Sequence, residues 1–562
     1  MDDLLLHFSA NHSPLLPVSF LERAAHAFGD KVSIVYGPVS FSWRQTHQRC
    51  LRLASALTQL GLSPAHTVAA LAPNIPALYE LHFAVPMAGA VLSALNFNLD
   101  AATLAIILEK LEPKFIFVDY EYVDVILTAL QLLSEKMGKR PLLVLIQELD
   151  QAATLVENDL ASATADIVKY SDLLDMGETD FEMVKPKNEG DPISVNFTSG
   201  STGEPKGVLY SHRAAYLKSL ASVKLYDMVS APVFLWTVDM FRCNGWCCTW
   251  AMAALGGTSI CLRNVSARVM FDSIVLHNAT HLCGGPAVLN MIADAPASER
   301  KPLPCKVHLI IAGVLPMSQV LKVEGLGFTV SHAYGMTEVL GPALVRPWRP
   351  YQLNSNSSYE HKKVKFPEGL LGDRVIEEVD IKEPETMKSV QRDGKTMGEV
   401  MFRGNTLMSG YLKDPKATQE AFKDGWYRTR DLGLFHPNGV IQLKDRAKDI
   451  IVSGGEIIST LEVEAVLLSH PKVLEAAVVG KRDEYLKEKP CAFVKLKEGY
   501  GAMSCEEIVK FCEEQLPDFM VPRTVVFGEL PVNSTGKVQK FTLRVKANAM
   551  HSISLENGCQ RS

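Results

Sequence analysis

Between Ile193 and Gly207 the chain stops being able to be a strand. Ile193, Val195 and Phe197 alternate with polar residues, which is the two-residue period of a half-buried strand. The next ten residues, Thr198 to Gly207, then hold three glycines, two serines, two threonines and one lysine. A Gly/Ser stretch is often only a linker, but a linker needs neither Lys206 nor a strand feeding it. Glycines let backbone N–H groups turn inward as an anion-binding nest, and the hydroxyls of Thr198, Ser199, Ser201 and Thr202 add donors around Gly200 and Gly203. Lys206 supplies a compact positive charge suited to a polyphosphate. No Gly-Lys-Ser/Thr closes the run, so the spacing is not that of a Walker loop. Helical spacing resumes after Ser211, which predicts a loop lying between a strand and a helix, where phosphates dock.

A chain of 562 residues is longer than one hydrophobic core serves, so several domains are expected. Hydrophobic residues at 47% and charged ones at 21% are ordinary for a globular enzyme. A formal charge of −6 provides no basic field for nucleic acid or for an anionic membrane. The eleven cysteines are scattered without a CxxC pair, and Cys243, Cys247 and Cys248 lack histidines at ligand spacing; buried reduced thiols are expected. The most apolar stretch, Leu81 to Phe97, is broken by His82, Pro86 and Gly89 and reads as a buried helix entering a strand, not a membrane span. The acidic opening Met1-Asp-Asp3 is no basic leader, and Gln560-Arg561-Ser562 is not a small-basic-leucine tail. A cytoplasmic location is expected, with the peroxisome as the alternative.

Along the chain, Ser19 with Glu22 and Ser42 with Gln45 have capping-box spacing. The second opens a helix with leucines at 51, 53, 57 and 60, closed by Gly61. Short apolar runs alternate with such helices through residues 1–190, the pattern of a doubly wound α/β sheet. A second α/β unit is expected over 191–364, with strands at Val233–Leu235, Ser259–Leu262, Val307–Ala312 and Phe328–Val330 and an exposed polar loop near 350–365. A β-rich unit is expected over 365–447, where Asn438-Gly439 supplies the turn of a tight hairpin. Residues 448–562 read as a compact α+β domain, with helices capped at Ser459 and Ser504. The charged run Lys444 to Asp449 reads as solvated, for Asp445 and Asp449 above all.

The loop at 198–207 resembles the phosphate loop of the acyl-adenylate-forming enzymes, the family of acyl-CoA synthetases, coumarate–CoA ligases and luciferases. Five further motifs match in the family's order: Tyr334-Gly-Met-Thr-Glu338, Trp426 to Asp431, Asp445 to Asp449, Ser453-Gly-Gly-Glu456 and Pro531 to Lys537. Within the family the closer match is to plant-type acyl-activating enzymes acting on benzoate, cinnamate or short and medium acyl chains. It is carried by Phe234 to Trp246, Asp393 to Gly398 and Lys448 to Glu456. The resemblance implies an α/β fold: a large N-terminal domain of two doubly wound subdomains and a β-rich one, then a smaller mobile α+β domain. It implies an AMP-forming acid–thiol ligase using ATP, Mg²⁺ and coenzyme A on a small carboxylic acid. By the resemblance, the nucleotide would meet the phosphate loop with His332, Ala333, Tyr334 and Thr337. Glu338 would hold the metal, Asp431 and Arg446 the ribose, and Lys448 would be the hinge. Gly454 and Gly455 would close the site for thioester formation, and Lys537, with Lys206, Thr337 and Glu338, would drive adenylation. Arg242, Asn244, Cys248, Gly284, Gly313 and Val314 would line the acyl site.

The physics joins these parts, because a carboxylate repels a triphosphate and charge must be neutralised as pyrophosphate leaves. Several positions depart from the family's pattern. A neutral His is Arg242, which could pair with Asp239 or with a second carboxylate on the substrate; the pairing with Asp239 is expected. The glycine before Asp431 is Arg430, an Asn after Gly-Gly-Glu is Ile457, and a Trp-Gly-Glu run is Leu486-Lys-Glu488. The drift at Ile457 and Leu486 keeps open an adenylating enzyme with an acceptor other than coenzyme A. Arg242 and Arg430 keep open a non-catalytic nucleotide-binding relative.

Overall fold

The structure, a computed structural model, describes residues 13–133, 140–147, 167–198, 204–229, 231–313, 315–347, 370–371, 377–497, 499, 503–532, 537–550 and 559–561. The polar loop expected near 350–365 lies outside them.

Two eight-stranded sheets dominate. One runs in the order Gly341–Pro347, Phe328–Met336, Val307–Ala312, His281–Gly284, Val233–Leu235, Thr258–Ile260, Val32–Tyr36, Val39–Ser42. The other runs Gly410–Tyr411, Gly207–Ser211, Pro192–Phe197, Val91–Ala94, Thr67–Leu71, Phe115–Asp119, Leu142–Ile146, Ile167–Lys169. Both are parallel at the centre, as connections through helices require; the first has antiparallel pairs at both edges, the second only at the Gly410–Tyr411 edge, since Ile167–Lys169 pairs parallel. Their strands cross the boundary expected at 190: Val32–Tyr36 completes the first sheet and Pro192–Phe197 pairs with Val91–Ala94 in the second. The sheets therefore do not part there, because pairing between distant segments is invisible to local periodicity.

Helix Pro76–Met87 lies in the main core with all twelve residues buried, so it is enclosed on every side, Glu80 and His82 included. It leads to strand Val91–Ala94, as the run Leu81 to Phe97 predicts. Its Glu80 is reached by Arg49 at 2.5 and 3.1 Å and by the Tyr170 hydroxyl, so the buried charge is paired. Among the described residues no helix is long and apolar enough to cross a membrane.

Two six-stranded sheets follow, the first built from strands between Leu370 and Arg446, the second from strands after Ile451. Ser42, Ser459 and Ser504 cap helices through their side chains as expected. Ser19 does not: it is already the first helical residue, and its hydroxyl donates to the Leu16 carbonyl at 2.7 Å. Strand Trp426–Phe435 turns into Ile441–Arg446 through a loop of five residues, with only Gly439 at positive φ, so Asn438-Gly439 is not a two-residue turn.

Lys218, on helix His212–Leu225, and Glu377 form a fully buried ion pair at 2.7 Å, with the Thr406 hydroxyl on the same carboxylate. Removing one partner strands a charge in the core. Lys218→Met is expected to cost about 3–5 kcal/mol of stability. The Lys218→Met, Glu377→Gln double variant should lose less, both read as shifts in denaturant midpoint.

Candidate active site

The glycine-rich loop joins two strands. Gly207–Ser211 pairs antiparallel with Pro192–Phe197, and helix His212–Leu225 begins only afterwards, its first turn capped by the Ser211 hydroxyl accepting from Ala214 N at 3.1 Å. The expectation of a strand-to-helix junction is thus corrected, because the five-residue strand separates loop from helix. That helix terminus cannot be the loop's anion site. The ends of the loop are closed by Thr198 N to the Lys206 carbonyl at 2.9 Å and Lys206 N to Thr198 Oγ1 at 3.1 Å. Ser199, Gly200, Ser201, Thr202 and Gly203 lie outside the described residues. The Lys206 ammonium stands 4.9 Å over the Tyr411 ring, whose hydroxyl donates to Glu338 Oε1 at 2.9 Å. One tyrosine therefore spaces the loop cation from the candidate metal carboxylate.

Strand Phe328–Met336 carries His332, Ala333 and Tyr334, and a short 3₁₀ turn then presents Thr337 and Glu338. His332 donates from Nε2 to the Gly313 carbonyl at 2.8 Å. Burial pushes its pKa down to about 4, so the ring is neutral; some of the residue still meets solvent, but protein crowds it. The Thr337 carbonyl accepts the Tyr210 hydroxyl at 2.6 Å. Tyr334 donates its hydroxyl to Asp431 Oδ2 at 2.7 Å, and Arg446, opposite Asp431 in the neighbouring strand, approaches Oδ1 at 3.5 Å. Burial raises the Asp431 pKa, while Arg446, Tyr334 and Lys537 draw it back. Each carboxylate oxygen has lone-pair capacity left for a hydroxyl donor.

Lys537 comes from the tail region yet lies in the fields of Arg446, Arg242, Cys243 and Asp431. Its pKa is lowered, first by burial, then by Arg446 and Arg242, against the opposite pull of Cys243 and Asp431. Part of the residue is open to solvent, but its surroundings are protein-rich, and the direction follows from them. Lys448 is exposed, and its carbonyl accepts Arg544 at 3.1 Å.

Arg242 pairs with Asp239, Nε to Oδ2 at 2.8 Å, as expected. Cys243 to Cys247 then form a single left-handed turn, with φ between 46° and 61° at every residue. Trp246 N donates to the Arg242 carbonyl and Cys247 N to that of Asn244, both at 3.1 Å. Asn244 is fully buried: its N donates to Asn196 Oδ1 at 2.8 Å and its Oδ1 accepts from Ser194 at 2.7 Å. It braces the turn against the strand that feeds the loop, which is a different task from facing the acid. Cys248 is also fully buried, and its thiol lies against that of Cys283. Gly284 ends strand His281–Gly284, where a Cβ would meet Val288 at 2.6 Å. Val314 lies outside the described residues. The ten cysteines whose side chains are described form no disulfide, and all of them but Cys305 are buried.

Gly454 and Gly455 form the two-residue turn between Ile451–Ser453 and Glu456–Ile458, at φ of 58° and 91°. Such a hairpin needs positive φ at both positions, which explains the glycines locally. They are exposed. Arg430 has φ 63°, which is why a glycine suits that position; its guanidinium turns to the Glu420 carbonyl at 3.3 Å. Asp445 and Asp449 are not solvated, at 4% and 8% exposure. Asp445 Oδ2 accepts both Thr460 N and Thr460 Oγ1 at 2.6 Å, and Asp449 accepts Arg544 at 2.9 Å. Orphan N–H groups at a helix start, unseen in sequence, take that carboxylate out of water. Tyr210 and Tyr411 were missed by sequence reasoning, since nothing in their spacing ties them to Thr337 or Glu338.

A family model described as AMP-binding enzyme matches residues 21–412, and one described as AMP-binding enzyme C-terminal domain matches 462–537. The chain is 47% identical to a 2-methylpropanoate–CoA ligase of Humulus lupulus over 98% of each. It is 44% identical to a peroxisomal butyrate–CoA ligase of Arabidopsis thaliana over 98% of this chain and 96% of the other. The crystal structure of an anthranilate CoA ligase in complex with anthranoyl-AMP aligns with TM-score 0.79 and 21% identity, covering 96% and 99% of the chains, a likeness of fold.

If Lys537 acts as a cation in adenylation, its lowered pKa sets the alkaline limit. The group loses its proton at a pH below the ordinary 10.5, and the rate falls as pH rises through that point. A pH–rate profile of adenylation should show this early alkaline limb, and Lys537→Arg should move it upward.

Proposed function

The chain belongs to the AMP-binding enzyme family, and we propose that its site activates a short-chain aliphatic carboxylic acid and hands the acyl group to coenzyme A. The enzyme is an AMP-forming acid–thiol ligase that uses ATP and Mg²⁺. One observation carries the assignment of residues: Lys537, from the tail region, shares an electrostatic field with Asp431 and Arg446 of the large region. A cation brought from the tail region to a carboxylate that would bind the nucleotide is what an in-line attack on a triphosphate needs.

The acid's carboxylate oxygen attacks the α-phosphorus, and the bond to the β-phosphate breaks with its electron pair leaving on pyrophosphate. Lys537 neutralises charge at the α-phosphorus, Lys206 and the loop that it closes hold the outer phosphates, and Asp431 accepts the ribose hydroxyls. Glu338 would hold magnesium. Among the described residues there is no cluster of three metal-ligating side chains, which suits an ion that takes one carboxylate and completes its shell with phosphate and water. When bound, the ion adds positive charge at the phosphates. The thiol of coenzyme A then attacks the acyl carbonyl, with AMP as leaving group. The small acid is drawn from the relatives named for 2-methylpropanoate and butyrate. The proposed location is cytoplasmic, with the peroxisome as the alternative that the peroxisomal butyrate ligase supports.

Purified protein should exchange labelled pyrophosphate into ATP only with acid present, most strongly with three- to five-carbon monocarboxylic acids. Lys537→Ala should slow that exchange by at least about a hundredfold, the scale of one lost transition-state cation. Exchange unaltered in Lys537→Ala would refute the assignment.

A further inference from the structure

Resting on the adenylation reading, we propose that Arg242 receives the reacting carboxylate of the acid and aims it at the α-phosphorus. Arg242 has five N–H donors, and among the described residues only Nε is engaged, by Asp239 at 2.8 Å. The edge bearing the two terminal amino groups is left free, and it matches a carboxylate in two parallel hydrogen bonds. The guanidinium is held in place: its carbon lies 5.0 Å over the Phe241 ring, and its backbone N donates to the Asp239 carbonyl at 3.0 Å. The Arg242 carbonyl is the anchor of the left-handed turn, accepting Trp246 N. The next side chain, Cys243, reaches Tyr210 and Thr337, so Arg242 is rooted one residue from the candidate nucleotide motif and within the field of Lys537.

The pairing with Asp239 decides which carboxylate this is. Arg242 and Asp239 are together neutral, so they offer little net attraction to a remote second carboxylate. They offer direction instead. A nucleophile bound by a bare cation loses reactivity, whereas one bound by a guanidinium already shared with Asp239 keeps more of it. From that position one carboxylate oxygen forms its bond to the α-phosphorus while the bond to pyrophosphate breaks, and no proton moves.

The test is acid-dependent pyrophosphate exchange with butyrate and 2-methylpropanoate in wild type, Arg242→Gln and Arg242→Lys, each checked for folding by its thermal transition. Arg242→Gln should raise the KM for acid about tenfold to a hundredfold, as for a lost charge-assisted pair, and leave the KM for ATP within about twofold, since the phosphate contacts remain. It should also move the alkaline limb upward. Of the groups facing Lys537 (Arg446, Arg242, Cys243 and Asp431), one that disfavours its proton is then gone. Arg242→Lys keeps the charge but not the fork, so its acid KM should rise several-fold with the alkaline limb in place; it carries the test if the Gln variant does not fold. Unchanged acid KM in both variants, or ATP KM rising in step with acid KM, would overturn the proposal. A wild type without acid-dependent exchange would sink the adenylation reading itself.

Discussion

Like charge gathered at one point is the constraint on which this molecule turns. Arg242, Arg446 and Lys537 act on one another, with Asp431 as the shared counter-ion and Asp239 neutralising Arg242. Burial and the two arginines hold the Lys537 pKa down, so the site alone resists that ammonium. An anionic nucleotide reverses the sign of the resistance, and by linkage its binding favours the protonated lysine. Lys537 belongs to the tail region and Asp431 and Arg446 to the large region, so in the proposed reaction the same charge balance bears on where the tail region sits. A nucleotide that binds this arrangement better than others shifts the population toward it.

Backbone strain lies beside the charges. Four non-glycine residues of the turn Cys243 to Cys247 are left-handed, at roughly 1–2 kcal/mol each. The chain tolerates this because buried side chains hold it: Asn196 takes the Asn244 N–H and Ser194 donates to its side-chain oxygen. Both come from the strand that feeds the glycine-rich loop, so that loop and the left-handed turn are braced against one element. Arg430 at φ 63° is a second strained position, directly before Asp431. Strain of this kind persists only where surrounding contacts over-determine it.

What the sequence made legible was local. The alternation at Ile193–Phe197, the serine caps at 42, 459 and 504 and the buried helix at 76–87 each follow from spacing that one segment contains. What it hid depended on partners far along the chain. Gly207–Ser211 is too short to declare itself a strand until Pro192–Phe197 pairs with it. Asp445 looks solvated until a helix start fifteen residues on claims it. Tyr411 joins Lys206 to Glu338 only because Gly410–Tyr411 adds to the edge of Gly207–Ser211. The family motifs could not show that Asn244 hydrogen-bonds to Asn196 and Ser194 of the strand Pro192–Phe197.

The contacts around Lys448 say where this arrangement must give way. Arg446 meets Asp431 and Ala447 N donates to the Arg430 carbonyl at 3.0 Å, so the chain up to 447 is tied to the large region. Asp449 is held by Arg544 of the tail. Lys448 is the residue between the two holds, and it is exposed. Rotation there has a definite cost, because Asp445 to Thr460 and Lys444 to Glu462, each at 2.6 Å, span the pivot and must break. Meanwhile the Gly454-Gly455 hairpin stands in solvent with Ile457 half exposed. In the proposed reaction the lysine serves adenylation and the hairpin serves thioester formation. Both belong to the tail region, Lys537 just before helix Lys540–Ala549 and the hairpin at the first strand pair, so a turn of that region would move them together. If the tail region turns about Lys448 between the two half-reactions, as the proposed function would have it, the contacts of 444 and 445 with 462 and 460 contribute to the barrier between them.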